Sequence, residues 1–142
     1  MKLKTATNDA IENSKAKYSS KSVMIDNTLP NLNSEITYTV TIENKTNDVY
    51  WIKNVTTTLS NADIVDDASD YQYQIIGGNQ QVDIDITFNY GVETLPNVKT
   101  QSGLIAFVFE QPSAALIQYS SEYTNVTNVQ DAIDELYELL DS

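Results

Sequence analysis

Between Glu35 and Glu43 apolar and polar residues alternate without a break, so an extended chain sends Ile36, Tyr38, Val40 and Ile42 to one face and Thr37, Thr39 and Thr41 to the other. A helix of 3.6 residues per turn cannot gather those four apolar side chains on one side. The pattern requires a strand with one wet face, and a second layer to cover the other. Residues 82–90 repeat it, with Val82, Ile84, Ile86 and Phe88 set against Asp83, Asp85 and Thr87.

Other segments fit the same class. Residues 49–60 favour extended backbone and carry Trp51, and the turn residues Asn44, Lys45, Thr46, Asn47 and Asp48 precede them, so a hairpin with 35–43 is the economical expectation. Gly77, Gly78, Asn79 and Gln80 similarly suggest a hairpin between 71–75 and 82–90. Residues 104–109, Leu-Ile-Ala-Phe-Val-Phe, are continuously apolar, as expected of a strand covered on both faces, and Pro112 ends the run. A further strand near residues 22–25 brings the total to six or seven, the pattern of an antiparallel β-sandwich.

The chain has 142 residues, enough for one such domain and something beyond it. It contains neither His nor Cys, which removes the side chains that most often carry acid–base, nucleophilic and transition-metal chemistry. A non-enzymatic role without cofactors is therefore expected. All eight basic residues are lysines and the net charge is −12, which disfavours nucleic acid and anionic membranes as partners. No apolar run follows the start or reaches membrane-spanning length, so a soluble chain without a signal peptide is the expectation.

Charge is unevenly placed. Lys2, Lys4, Lys15, Lys17 and Lys21 supply five of the eight lysines within the first 21 residues, against only Asp9 and Glu12. Residues 1–21 thus read as a basic arm suited to attachment, or as a solvated tail. Residues 122–142 hold six acidic residues and no lysine.

Ile36, Tyr38, Val40, Ile42, Asn44 and Asn47, followed by Val55 and Leu59 in a Thr-rich setting, resemble the strand–turn–strand of immunoglobulin-like repeats in prokaryotic surface proteins. The match covers about a quarter of the chain. It implies an Ig-like sandwich over residues 22–113, although the Cys…Trp…Cys signature of antibody domains is absent. Trp51 then reads as a core aromatic.

From Val126 the period changes. Val126, Val129, Ile133, Leu136 and Leu140 are spaced 3, 4, 3 and 4 apart, the seam of an amphipathic helix over 126–142, reached through a linker at 114–125. Thr127 and Gln130 have capping-box spacing. Tyr137 and Leu139 widen the apolar stripe, which favours a trimer or a groove over a slim dimer. The polar side carries Asp131, Asp134, Glu135, Glu138 and Asp141 and no lysine, so parallel copies would repel unless a basic surface compensates.

Asn128, Val129, Gln130, Ala132, Asp134, Glu135 and Leu136 also resemble the "T-NVQ-ALDEL" segment of tailed-bacteriophage structural proteins, with Ile133 in place of Leu. The resemblance covers about a tenth of the chain. It implies a trimerising or docking element in a virion protein of the head-fibre, capsid-decoration or tail-appendage kind, with other virion proteins as partners. The alternative is an adhesion or stalk module of a bacterial surface protein.

The remaining candidates have plainer readings beside them. Asp63, Asp66, Asp67 and Asp70 could offer oxygen ligands to Ca²⁺, yet they lack EF-hand spacing and no Gly occupies the turn, so a solvated acidic loop is the favoured reading and no metal is expected. Tyr50, Trp51, Tyr71 and Tyr73 are candidates for a host-surface glycan, with core packing as the simpler role. Glycosylation sequons at Asn44, Asn54 and Asn125 match the frequency of Asn and Thr here.

Overall fold

The computed structural model describes residues 1–112, which form two antiparallel sheets. The strands are β1 (Lys2–Thr7), β2 (Ile11–Ser19), β3 (Ser22–Thr28), β4 (Glu35–Glu43), β5 (Tyr50–Leu59), β6 (Ile64–Asp66), β7 (Ile75–Ile76), β8 (Gln81–Tyr90) and β9 (Thr100–Glu110). A short 3₁₀ turn, Ala68–Tyr71, lies between β6 and β7. The first sheet has the order β1-β4-β8-β6 and the second β2-β3-β9-β5-β7. The architecture is mainly β and consistent with a β-sandwich. The expected helix and the linker lie outside the described residues.

One core joins the layers. Ile36, Tyr38 and Val40 of β4 and Ile84, Ile86 and Phe88 of β8 meet Val23, Ile25, Ile52, Ile105 and Phe107 of the second sheet. Ile36, Tyr38, Ile86, Phe88, Ile52 and Ile105 are completely buried. The Tyr38 and Phe88 rings meet edge-on, with centroids 5.9 Å apart and planes at 80°, an arrangement that brings a positive ring edge to a negative face. The alternation in β4 and β8 therefore did assign the buried faces correctly, and Asp83 and Asp85 stand on the side away from the core, accepting from Thr41 and Thr39.

Both expected hairpins are absent. β4 and β8 pair with each other in the first sheet while β5 and β7 pair in the second, so the chain crosses between layers after β4 and again between β7 and β8. Only β2 and β3 are consecutive strands within one sheet. Period-2 patterning specifies a strand's face, not its neighbour, and a turn-rich loop serves an arch between sheets as well as a hairpin. Of residues 71–75, only Ile75 is strand; Tyr71 closes the 3₁₀ turn.

The expected arm at 1–21 is largely strand. β1 pairs with β4 at the edge of one sheet and β2 with β3 at the edge of the other. Asn8 and Asp9 turn the chain between the layers with φ of 51° and 66°, a left-handed conformation these two side chains tolerate. Asn31 Nδ2 and Ser34 Oγ donate to the Asn8 carbonyl and hold the turn in place. Bulges between Leu3 and Thr5 and along β2 twist these edges, and most of their side chains are exposed. With few apolar residues to signal burial, both strands read as a solvated arm.

Candidate functional site

Of the four acidic residues proposed for cation binding, Asp66 and Asp67 turn their carboxylates to backbone amides. Asp66 Oδ1 accepts from the Ala68 amide at 2.9 Å and from Thr57 Oγ1, and Asp67 Oδ1 accepts from the Thr87 amide at 2.8 Å. Asp63 lies in the turn pinned by Asn61, and Asp70 is exposed. Among the described residues no three carboxylates gather as a metal-holding group. Half of the loop's acidity thus serves its own turns, with the Asp66 and Asp67 carboxylates as acceptors.

The lysines are dispersed as well. Lys2 and Lys4 stand on β1, Lys15 and Lys17 on β2, and Lys21 in the connection to β3. Lys4 sits in the β1 bulge and pairs with Asp85. Its ammonium, together with the Thr39 hydroxyl, holds the Asp85 carboxyl below its usual range, and Lys4 is raised in return. Lys53 is raised by its bond to Glu110 at 2.8 Å.

The aromatic candidates separate by role. The Tyr71 hydroxyl donates to the Asp85 carbonyl at 2.8 Å and accepts from the Asp85 amide, tying the 3₁₀ turn to β8. Trp51 is buried, yet it is not part of the central core; its neighbour Ile52 points inward and Trp51 outward, where Tyr73 covers it at 5.5 Å. Tyr73 has φ of 74° and leaves its ring partly exposed. Tyr50 borders a cleft instead.

That cleft, about 830 Å³, opens at one end of the layers. Val40, Ile42, Phe107 and Phe109 form its apolar wall, and Lys21 and Lys45 stand at it with Glu43. The Phe107 and Phe109 rings lie nearly parallel at 6.1 Å. Met1 also borders it, so the described chain enters and leaves the layers at the same end. Apolar walls with a few charges offer contact surface.

Two features escaped sequence reasoning. The first is Asn44, whose side chain is buried: Nδ2 donates to the carbonyls of Asp48, Ile76 and Gly77 while Oδ1 accepts from the Thr46 amide and hydroxyl. It clasps the end of β4 to β7 across the layers, which makes the sequon there inaccessible. The second is the outer face of β9. Residues 104–109 are not covered on both sides among the described residues, because Leu104 and Val108 are 41% and 48% exposed. The continuous apolar run was a signal for this face; its meaning depended on what covers it.

The stripe Val126, Val129, Ile133, Leu136, Tyr137, Leu139 and Leu140 lies outside the described residues. No family model, curated protein or solved structure matches the chain.

Proposed function

We propose that this chain is a non-enzymatic structural component of a bacteriophage virion, a head fibre, capsid decoration or tail appendage. An Ig-like body displays surface, and the C-terminal segment attaches it to other virion proteins and to its own copies, with a trimer favoured. The observation that carries the reading is the phage-like segment with its heptad spacing, which follows the β body in sequence after residues 114–125. A helix over residues 126–140 would be marginal alone in water, so the reading gives it a partner. The body supports the reading because Met1 and Phe109 border one cleft. A body with Met1 and Phe109 on one cleft can be held on that side and displayed from the other, whereas a bead in a linear stalk passes the chain from end to end. Display in several copies lets weak contacts gain avidity, to a host protein or glycan, without a catalytic centre.

Native mass spectrometry of the full chain and of residues 1–121 tests this. The full chain is expected as an oligomer and the shorter one as a monomer. Equal monomeric masses, with no virion protein bound by the full chain, would defeat the proposal.

A further inference from the structure

Trp51 is the only tryptophan in the chain, and packing alone does not explain it. Its ring is 8% exposed, yet it lies outside the central core, on the outward side of β5. The Nε1–H is buried and has no acceptor among the described residues. Buried indoles ordinarily find a partner for that donor, and a phenylalanine would fill the space without stranding one. The residue that covers it is also costly. Tyr73 holds φ at 74°, a left-handed backbone that bulky side chains rarely adopt. It is kept there by β5: the Tyr73 amide donates to the Ile52 carbonyl at 2.6 Å, and the Ile52 amide to the Gln74 carbonyl at 2.9 Å. Gln72 Nε2 adds a bond to the Lys53 carbonyl at 3.0 Å. The outcome is a tyrosine ring fixed 5.5 Å from the indole, tilted 49° to it and still 38% exposed. Backbone strain of this kind gathers where ligands are held.

A charged pair stands beside the rings. Glu110 lies directly opposite Trp51 in the β5–β9 register and pairs with Lys53 at 2.8 Å. Lys53 occupies the bulge of β5, where the ladder's alternation breaks and a side chain can be re-aimed. Both heads remain accessible, with the Lys53 and Glu110 side chains 57% and 43% exposed. A carboxylate accepts from one hydroxyl while the ammonium beside it donates to the next, which suits neighbouring hydroxyls on a sugar ring. The pair is neutral as a unit, and the net charge of −12 disfavours an anionic ligand. An exposed aromatic face takes the C–H side of such a ring.

We infer that Tyr73, Trp51, Lys53 and Glu110 form a binding site for a neutral pyranose of a host-surface glycan. The sugar lays its C–H face on Tyr73 and sets adjacent hydroxyls on Glu110 and Lys53. Rotation of the Tyr73 side chain opens the Trp51 Nε1–H to a sugar oxygen, which supplies the acceptor it lacks. The inference rests on the display reading for its use, because one sugar held by a few bonds binds weakly and several copies on a particle make it effective. The site itself is complete within one copy.

The single tryptophan reports on its own site. The full chain is titrated with lactose, cellotriose, maltotriose and chitotriose, followed by Trp51 emission and by calorimetry. At least one is expected to give a saturable change at about millimolar concentration. Sialyllactose, the same disaccharide with a negative charge added, is expected to bind no better than lactose. Glu110→Gln removes a charge-assisted acceptor and is expected to weaken the responding sugar by about tenfold or more. Tyr73→Ala removes the platform and is expected to weaken it comparably, while Asn54→Ala, also exposed on β5, leaves affinity unchanged. Circular dichroism checks the Tyr73→Ala fold; if the β signal is lost, Glu110→Gln decides.

Neither emission change nor heat with any of the four neutral sugars would overturn the site. So would a response that Glu110→Gln and Tyr73→Ala both leave untouched, and tighter binding of sialyllactose would overturn the choice of a neutral ligand. Native mass spectrometry of the same samples separates this result from assembly. An oligomer that binds no sugar loses the site and keeps the assembly reading, whereas a monomer that binds one keeps the site and loses that reading.

Discussion

Replacing Asn44 with Ala tests whether the layers are held at their open end by one amide. The side chain is 8% exposed, and its bonds to Ile76 O and Gly77 O, both 3.1 Å, are buried. Truncation leaves those carbonyls without the donor, at about 1–1.5 kcal/mol each. It also removes the acceptor for the Thr46 amide, which water can partly replace at the rim. The expected loss is about 3 kcal/mol, a lowering of the urea midpoint by about 2 M at the usual slope for a small domain. Asn44→Asp separates hydrogen bonding from packing. It keeps the shape and the Thr46 contacts, but turns a carboxylate toward three carbonyl oxygens. At pH 7 it is expected to lose at least as much as Ala, and to recover part of the loss in acid, where the protonated carboxyl can donate once. Asn54→Ala, at an exposed sequon on β5, is the control and stays within about 0.5 kcal/mol of wild type. An Asn44→Ala protein within that same margin, or an Asp variant milder than Ala at neutral pH, would refute the clasp.

Three further outcomes follow from the described residues. Burial pushes the Tyr38 hydroxyl up to about 12, so its stabilisation is complete below the unfolded value near 10 and is lost as pH rises toward 12. Wild type should lose stability between pH 10 and 12 by up to about 2 kcal/mol more than Tyr38→Phe, measured by urea titration; parallel curves would contradict this. A Cβ on Gly78 would stand 2.5 Å from the Asn47 carbonyl oxygen, backbone that cannot easily withdraw, whereas on Gly77 it meets only the Gln80 side chain. Gly78→Ala should therefore lower the melting temperature clearly more than Gly77→Ala. Asp85 is held below its usual range, so its pair with Lys4 contributes above the unfolded carboxylate value and is lost as pH falls through the folded one. Lys4→Ala should change stability little at neutral pH and be indistinguishable from wild type in acid; a large neutral-pH loss would show the β1 edge depends on that pair.

What could be read from the sequence was each strand's face, where the alternation was strong. Ile36, Tyr38, Val40, Ile84, Ile86 and Phe88 are buried as their spacing requires. Partnering was not legible, because an apolar face packs against the opposite sheet regardless of which strand lies beside it. Asn44 shows why. In a hairpin it would be one turn residue among several; in an arch between the layers it becomes the donor that satisfies Ile76 and Gly77 carbonyls on the other sheet. β1 and β2 were hidden for a related reason. As edge strands with bulges they bury little, and their lysines dominated the pattern.

The candidate site divides along the same line. Carboxylates look alike in a sequence whether they converge on a cation or cap separate amides, and only the backbone path made Asp66 and Asp67 acceptors for Ala68 and Thr87. The run at 104–109 carried more information than a strand assignment uses. Ile105, Phe107 and Phe109 face the core, which accounts for half of its apolar residues, while Leu104 and Val108 point away from it. A strand that needed only one buried face would alternate, as β8 does with Asp83 and Asp85. Leu104 and Val108 therefore go beyond what one buried face requires, and an unbroken apolar run does not by itself say that both faces of a strand are covered.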